Sequence, residues 1–338
     1  MSAPTFGVVH DFRCAAPGVT DAAHYAERLA EIELAERLGY SMVWLPEHHG
    51  SADGFLPAPL VAAAAVAART SRIGIGTNAV IAPLHHPLRL AEDAAVVDLL
   101  SGGRLTLTLG QGYVDHENAL LGVPPRNRPS LVEDAIALCR QVWSTGETEF
   151  HGRRWQLPAG PFGPRPARPI PIQLGAFARP AFERAARLAD GVLIYAGDGG
   201  VEERYGLWVD ALGRAGRTGH VPVVLGATAH VGPDDESAWR VAGPAIALLE
   251  HGFAAHRLPA GAPRPPVPDA AGLDRDNYLV GSPATVADKV VALHRRVPFD
   301  HLCLWGRLPG LDHAQAVAAV TAFATEVVPA VLARVNES

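Results

Sequence analysis

The stretch Leu38-Gly39-Tyr40-Ser41-Met42-Val43-Trp44-Leu45-Pro46-Glu47-His48-His49 carries a helix stop, a strand and a polar strand end in one short segment. Gly39 ends a predicted helix running back to Asp21, on which Leu29, Ile32, Ala35 and Leu38 fall at helical spacing. Met42-Val43-Trp44-Leu45 is an unbroken apolar run, the pattern of a parallel strand buried on both faces. Outward from this segment the same unit recurs. Upstream, Phe6–His10 reads as a strand. Downstream come a helix at Leu60–Arg69, a strand at Arg72–Val80 and a helix from Pro87 to Leu100, with proline at its first position. Arg104–Leu109 is the next strand and Ser130–Trp143 the next helix. The second half continues with strands at Ile170–Leu174, Val192–Tyr195, Val221–Val231 and His301–Trp305. Helices are predicted at Pro180–Ala189, Val201–Ala215, from about Asp235, at Thr285–Arg296 and at His313–Leu332.

Eight strand–helix pairs without a long structureless linker predict an α/β fold, a single (β/α)8 TIM barrel spanning the 338 residues. A doubly wound sheet is the alternative. Two stretches break the rhythm: 146–168, with Phe150, Trp155 and Phe162, and 256–277, rich in Pro and Gly. Loops of this length beside barrel strands read as insertion lids, with disorder as the alternative. The three aromatic residues of the first point either to an apolar substrate or to a small satellite core.

Composition narrows the function. Hydrophobic residues make up 48% of the chain and charged residues 19%, which supports a large core and excludes general disorder. The net charge of -6 argues against nucleic acid as a partner, which favours a basic stripe. Lys289 is the single lysine, and it falls in a helical pattern, so Schiff-base aldolase chemistry is set aside. Cys14, Cys139 and Cys303 are too scattered for a disulfide framework or a zinc motif and fit a reducing compartment. The start of the chain lacks a signal pattern, and Phe55–Ala68 is too short and too proline-broken for a membrane span. A cytoplasmic protein without membrane contact is expected.

Barrel active sites lie at the C-terminal strand ends. There the sequence places Glu47-His48-His49, Asn78-Ala79, Gly110-Gln111-Gly112-Tyr113 and Gly175-Ala176-Phe177-Ala178-Arg179. Adjacent histidines on an extended segment point to opposite sides, so one ion rarely takes both, and no metal is expected. His48 suits acid–base work near neutrality, against the plainer reading of a hydrogen-bonded rim histidine. Gly110-x-Gly112 lacks the third glycine of the dinucleotide fingerprint, but glycine at a strand end lets a flat ring approach the backbone. Arg128 and Arg179, near helix starts, suit a phosphate or are ordinary solvated arginines.

These segments, with Arg72–Val80, His86–Asp93, Asp98–Arg104 and Leu279–Val286, resemble the bacterial-luciferase-like flavin-dependent oxidoreductases. The likeness is dense from about 25 to 145 and thinner to about 307. It implies FMN at the C-terminal rim and a non-proline cis peptide around Asn78-Ala79, against which the ring packs. It makes His48 the catalytic-pocket histidine and Glu92 a buried glutamate near the flavin; Glu47 and Tyr113 are the further catalytic candidates, Tyr113 toward the flavin or substrate. Arg128 and Gly175, Ala176, Phe177 and Arg179 match phosphate-side positions, and Gly110 and Gln111 line the cofactor. Gln111 stands where several relatives carry Arg, Gly110 where the luciferase has its reactive cysteine, and Tyr113 where some deazaflavin enzymes carry a glutamate donor.

The resemblance therefore implies a monooxygenase that takes reduced FMN from a separate reductase, uses O2 and oxidises a small organic substrate. A deazaflavin-dependent hydride-transfer enzyme and a non-catalytic flavin-binding relative are the alternatives. A homodimer is expected through helices 60–69 and 88–100.

Overall fold

The structure, a computed structural model, describes residues 3–14, 22–197, 199–258, 262–263 and 265–336. Eight strands form the barrel: β1 Thr5–Val9, β2 Met42–Leu45, β3 Gly74–Thr77, β4 Leu105–Gly110, β5 Ile172–Gly175, β6 Gly191–Tyr195, β7 Val223–Ala227 and β8 His301–Trp305. Each pairs in parallel with its sequence neighbours, and β8 closes on β1 with Thr5 opposite His301 and Val9 opposite Trp305. This is the predicted TIM barrel. Short parallel strands at Ala229–Val231 and Leu279–Gly281 pair beyond the end of β7. The predicted single strand Arg72–Val80 is interrupted at Asn78-Ala79, which is a cis peptide as the resemblance implied. Val80–Ile81 then rejoins β4.

Residues facing the barrel axis follow from the strand period of two. Trp44 fills the axis with no exposed surface, and its Nε1–H donates to Nε2 of His301 at 2.9 Å. That bond requires an unprotonated Nε2, which agrees with burial driving His301 down to about 3. The neighbours make room. A Cβ at Gly76 would overlap the Trp44 indole, and one at Gly7 would stand 2.5 Å from Nε2 of His301.

The helices pack their apolar faces on the outside of the barrel. Helix Pro59–Arg69 buries Leu60, Ala63, Val66 and Ala67, and helix Pro87–Ser101 buries Leu90, Ala91, Ala94 and Ala95. Gly102, in the left-handed conformation at φ 69°, ends the second of these helices. The C-terminal helical segment His313–Val335 is long and apolar enough to cross a bilayer by length and composition, yet it buries Phe323, Val327 and Val331 against the barrel.

The two expected insertions differ from expectation. Segment 146–168 forms a two-strand hairpin, Phe150–His151 with Gln156–Leu157. Its aromatic residues serve the core: Phe150 and Phe162 are buried, and Trp155 meets the His86 ring at 4.4 Å. The Asp134 carboxylate clasps the hairpin by accepting from the backbone N–H of Arg153, Arg154 and Trp155. These side chains join the main core, neither a satellite core nor a substrate pocket. In 256–277, residues 259–261 and 264 lie outside the described residues. Helix Asp235–His256 reaches the start of that stretch, and its final turns lie against the β8 end.

Candidate active site

His48 is the centre of the candidate site. It follows β2, is 7% exposed, and its Nδ1 lies 2.7 Å from Oε1 of Glu117. A carboxylate only accepts, so His48 carries its hydrogen on Nδ1 and leaves Nε2 for proton exchange. The same Glu117 oxygen accepts the His49 backbone N–H at 3.0 Å. Glu117 sits on the short helix Asp115–Leu120 after β4 and is itself buried. Its neighbour Asn118 anchors that helix by donating to the Val114 carbonyl at 2.7 Å.

Aromatic rings enclose His48. Phe55 meets it edge-on at 4.5 Å, Tyr113 at 5.8 Å, and His256 lies over it at 4.5 Å. Burial raises the Tyr113 hydroxyl far above the neutral range, so it enters the site as a neutral phenol. Arg13 comes from the loop after β1. Asp11 holds it through an Nε–H donation at 2.8 Å, and its guanidinium spans Phe55 at 4.8 Å and Trp305 at 5.7 Å. Phe253, on the covering helix, reaches Trp305 and Tyr195.

Glu47 is next to His48 in sequence but belongs to a different assembly. Its Oε1 accepts from His49 Nε2 at 2.7 Å and His85 Nε2 at 2.8 Å, and its Oε2 accepts the Ile81 N–H at 2.7 Å. Burial opposes ionisation there, but these hydrogen bonds outweigh it and hold the carboxyl at about 2. Glu47 is thus a buttress for the strand end that follows Asn78-Ala79, since alternation turns it away from the His48 side.

Ala79, Gly110 and Gly175 form a bare stretch of the rim. A Cβ on Gly110 would touch the Ala79 Cβ at 3.4 Å, and one on Gly175 would meet nothing nearer than 3.9 Å. The two glycines face the barrel axis on adjacent strands, so a flat ring fits a cradle that side chains would fill. Asn78 is held from behind, its N–H donating to the Leu45 carbonyl at 2.8 Å.

The expected phosphate side divides. Ala176 is buried, while Phe177 is 54% exposed beneath the Arg204 guanidinium at 5.3 Å. Helix Arg179–Leu188 starts at Ala178 without a side-chain cap, leaving its first N–H groups for other acceptors. Arg179 itself is half-exposed, 3.8 Å from Asp210. Arg128 donates to the carbonyls of Gly112 and Pro125, which makes it a loop brace. Glu92 departs from the expected burial: its side chain is 37% exposed and lies 3.6 Å from Arg89 on the outer face of its helix.

Several contributors escaped the sequence reading: Glu117, His256, Arg13 and Arg184. Buried Arg184 donates to Glu133 at 3.2 Å and to Gln111 at 3.5 Å, so a guanidinium stands beside Gln111 after all. One signal was available for Glu117, since an acidic residue in the first turn after a glycine-rich strand end is a rim residue in a barrel. Among the described residues, one cluster has metal-ligand geometry, Glu27, Glu31 and His313. Arg307 is inserted into it, paired to both glutamates, which marks a salt-bridge network.

Comparison with known proteins agrees with this geometry. The family described as luciferase-like monooxygenase matches residues 5–298. The oxygenase component of flavin-dependent trigonelline monooxygenase from Acinetobacter baylyi is 30% identical over 144 residues, 42% of this chain and 40% of that protein. F420-dependent glucose-6-phosphate dehydrogenase from Kineococcus radiotolerans is 32% identical over 171 residues, 49% of this chain and 51% of the relative. These matches span about half of each relative's length. The oxygenating constituent of 3,6-diketocamphane monooxygenase from Pseudomonas putida, solved with FMN, superposes with a TM-score of 0.78 at 18% identity, over 97% of this chain and 98% of that one. With a family match over nearly its whole length and a barrel of the same architecture, the chain belongs to the luciferase-like monooxygenase family, whose members include flavin-dependent monooxygenases and F420-dependent oxidoreductases.

Proposed function

We propose that this protein is the oxygenase of a two-component flavin monooxygenase, which receives reduced FMN from a separate reductase and uses O2 to oxidise a small organic substrate. The observation that carries this reading is the bare cradle of Ala79, Gly110 and Gly175 on the same rim as a histidine fixed by Glu117. FMN, when bound, supplies the redox chemistry with oxygen; the protein supplies position, dryness and proton control. Ala79, Gly110 and Gly175 would hold the ring. The uncapped start of helix Arg179–Leu188, with Arg204 over the adjoining Phe177 and Arg184 beside Gln111, would take the phosphate. Nε2 of His48 accepts or returns the proton at the reacting centre, while Glu117 keeps the ring in register. Phe55 and His256 cover this ring against water, and Tyr113 borders it.

The exposed apolar face made by Val61 on one helix and Val96, Leu99 and Leu100 on the next supports a homodimer through helices Pro59–Arg69 and Pro87–Ser101. A cytoplasmic location fits the buried, unoxidised thiols of Cys139 and Cys303.

The experiment is a set of titrations with FMN, with reduced FMN under anaerobic conditions and with the deazaflavin, followed by rapid mixing with O2. Binding of reduced FMN and protein-dependent change in its oxidation by O2 support the proposal. Tight deazaflavin binding with no oxygen consumption overturns it in favour of hydride transfer, and tight FMN binding with no turnover favours a binding protein.

A further inference from the structure

The end of helix Asp235–His256 lies across the His48 side of the barrel mouth. His256 closes this helix, and its ring lies over the His48 ring with centroids 4.5 Å apart and 35° between the planes. The rings overlap as tilted plates, so His256 covers a face of His48. Nδ1 of His48 is committed to Glu117. Nδ1 of His256 is buried and has no hydrogen-bond partner among the described residues. Protonating His256 would therefore bury a second charged imidazole on the first, with an N–H that has no acceptor.

We propose that His256 is a positioning residue for the acid–base step: seated on His48, it strips water from one face of that imidazole, lowers its proton affinity and leaves it the proton carrier of the pair. The proposal rests on His48 as the acid–base group of the site. It does not rest on which cofactor binds.

The charged and titratable surroundings are consistent with this division. Glu117 and Tyr113 face His48 from the segment after β4, and Arg257 adjoins Tyr113. Arg13 and Asp53 act on His256 from the loops after β1 and β2, with opposite signs. Burial, and then His48 itself, push His256 down to about 4, so it is neutral near pH 7. Charging both rings together is unfavourable, and with His256 neutral its effect on His48 is the loss of water from one face of that ring.

The test is an NMR pH titration of the full chain carrying 13C-labelled histidine, with the His48 signal assigned by its loss in His48→Gln. In His256→Ala, water reaches the exposed face and the proton affinity of His48 rises about threefold, roughly half a pKa unit. In His256→Phe the cover is kept, and His48 titrates close to wild type. In His48→Gln, His256 titrates at higher pH than in wild type. An unmoved His48 in the alanine variant overturns the proposal, as does a phenylalanine variant that shifts as far as the alanine one. The reciprocal measurement stands even if the alanine variant fails to fold, and an unmoved His256 in His48→Gln also overturns the proposal. Absence of oxygenase activity would defeat the functional reading and leave these titrations unchanged.

Discussion

One carboxylate oxygen of Glu117 receives both the His48 ring at 2.7 Å and the His49 backbone N–H at 3.0 Å, tying the ends of β2 and β4 together. Removing it in Glu117→Ala frees the His48 ring and leaves a buried N–H unpaired. Turnover is expected to fall about a hundredfold or more, in the range of a lost acid–base contribution. The 15N shifts of the His48 ring should at the same time move from a fixed Nδ1–H tautomer toward a mixture. Retention of both turnover and tautomer would refute the role given to Glu117.

Glu47 predicts a pH effect with a definite sign. Its carboxyl is held at about 2 in the folded protein against an ordinary 4.5, so the unfolded chain binds its proton more tightly. The stability it contributes is complete above about 4.5 and is lost as pH falls through that value toward 2. Glu47→Gln should cost about 1–3 kcal/mol near neutrality, the usual penalty for disturbing buried hydrogen bonds. It should also flatten the stability profile across this acid window. Urea unfolding of both proteins over a pH series measures it.

Gly110→Ala puts a methyl group into the cradle beside Ala79 at an ordinary contact of 3.4 Å, without a severe clash in the free protein. FMN affinity should drop by about tenfold or more, about 1.4 kcal/mol, while the melting temperature stays near wild type. A fluorescence titration of FMN decides this, and unchanged affinity would move the ring away from this rim.

Gly76→Ala has the opposite signature. The new methyl group would overlap the Trp44 indole inside the barrel, where no flexible neighbour can yield. A loss of about 1–3 kcal/mol of stability is expected. Trp44→Phe introduced alongside it should recover part of that loss in denaturant unfolding.

The exposed Val61, Val96, Leu99 and Leu100 face gives a prediction about assembly. Leu99→Asp combined with Val61→Asp should convert a sedimenting dimer into a monomer. A wild-type protein that already sediments as a monomer would rule out this interface.

The barrel was legible because strand and helix periods leave local marks. Met42–Leu45 and His301–Trp305 are apolar runs of the right length, and the helices carry their own stops. The rim position of His48 and the Asn78-Ala79 bend were legible because both sit in segments that resemble a known family. Glu117, His256 and Arg13 were not, because each reaches His48 or its neighbours across long stretches of chain, and a sequence shows such contacts only after folding. Glu47 was misplaced for a local reason: adjacency along an extended strand end puts consecutive side chains on opposite sides. Glu92 went astray because resemblance gives a position in the fold but not the burial of a helix face.

Trp44, seated in the bore on His301, also has a consequence for traffic. With the bore filled by a buried indole, a molecule seated against Ala79 has no route along the barrel axis and comes and goes at the C-terminal rim. A ring lying deepest against Ala79 would therefore have to be in place before a substrate arrives, and a product would have to leave before that ring could be exchanged.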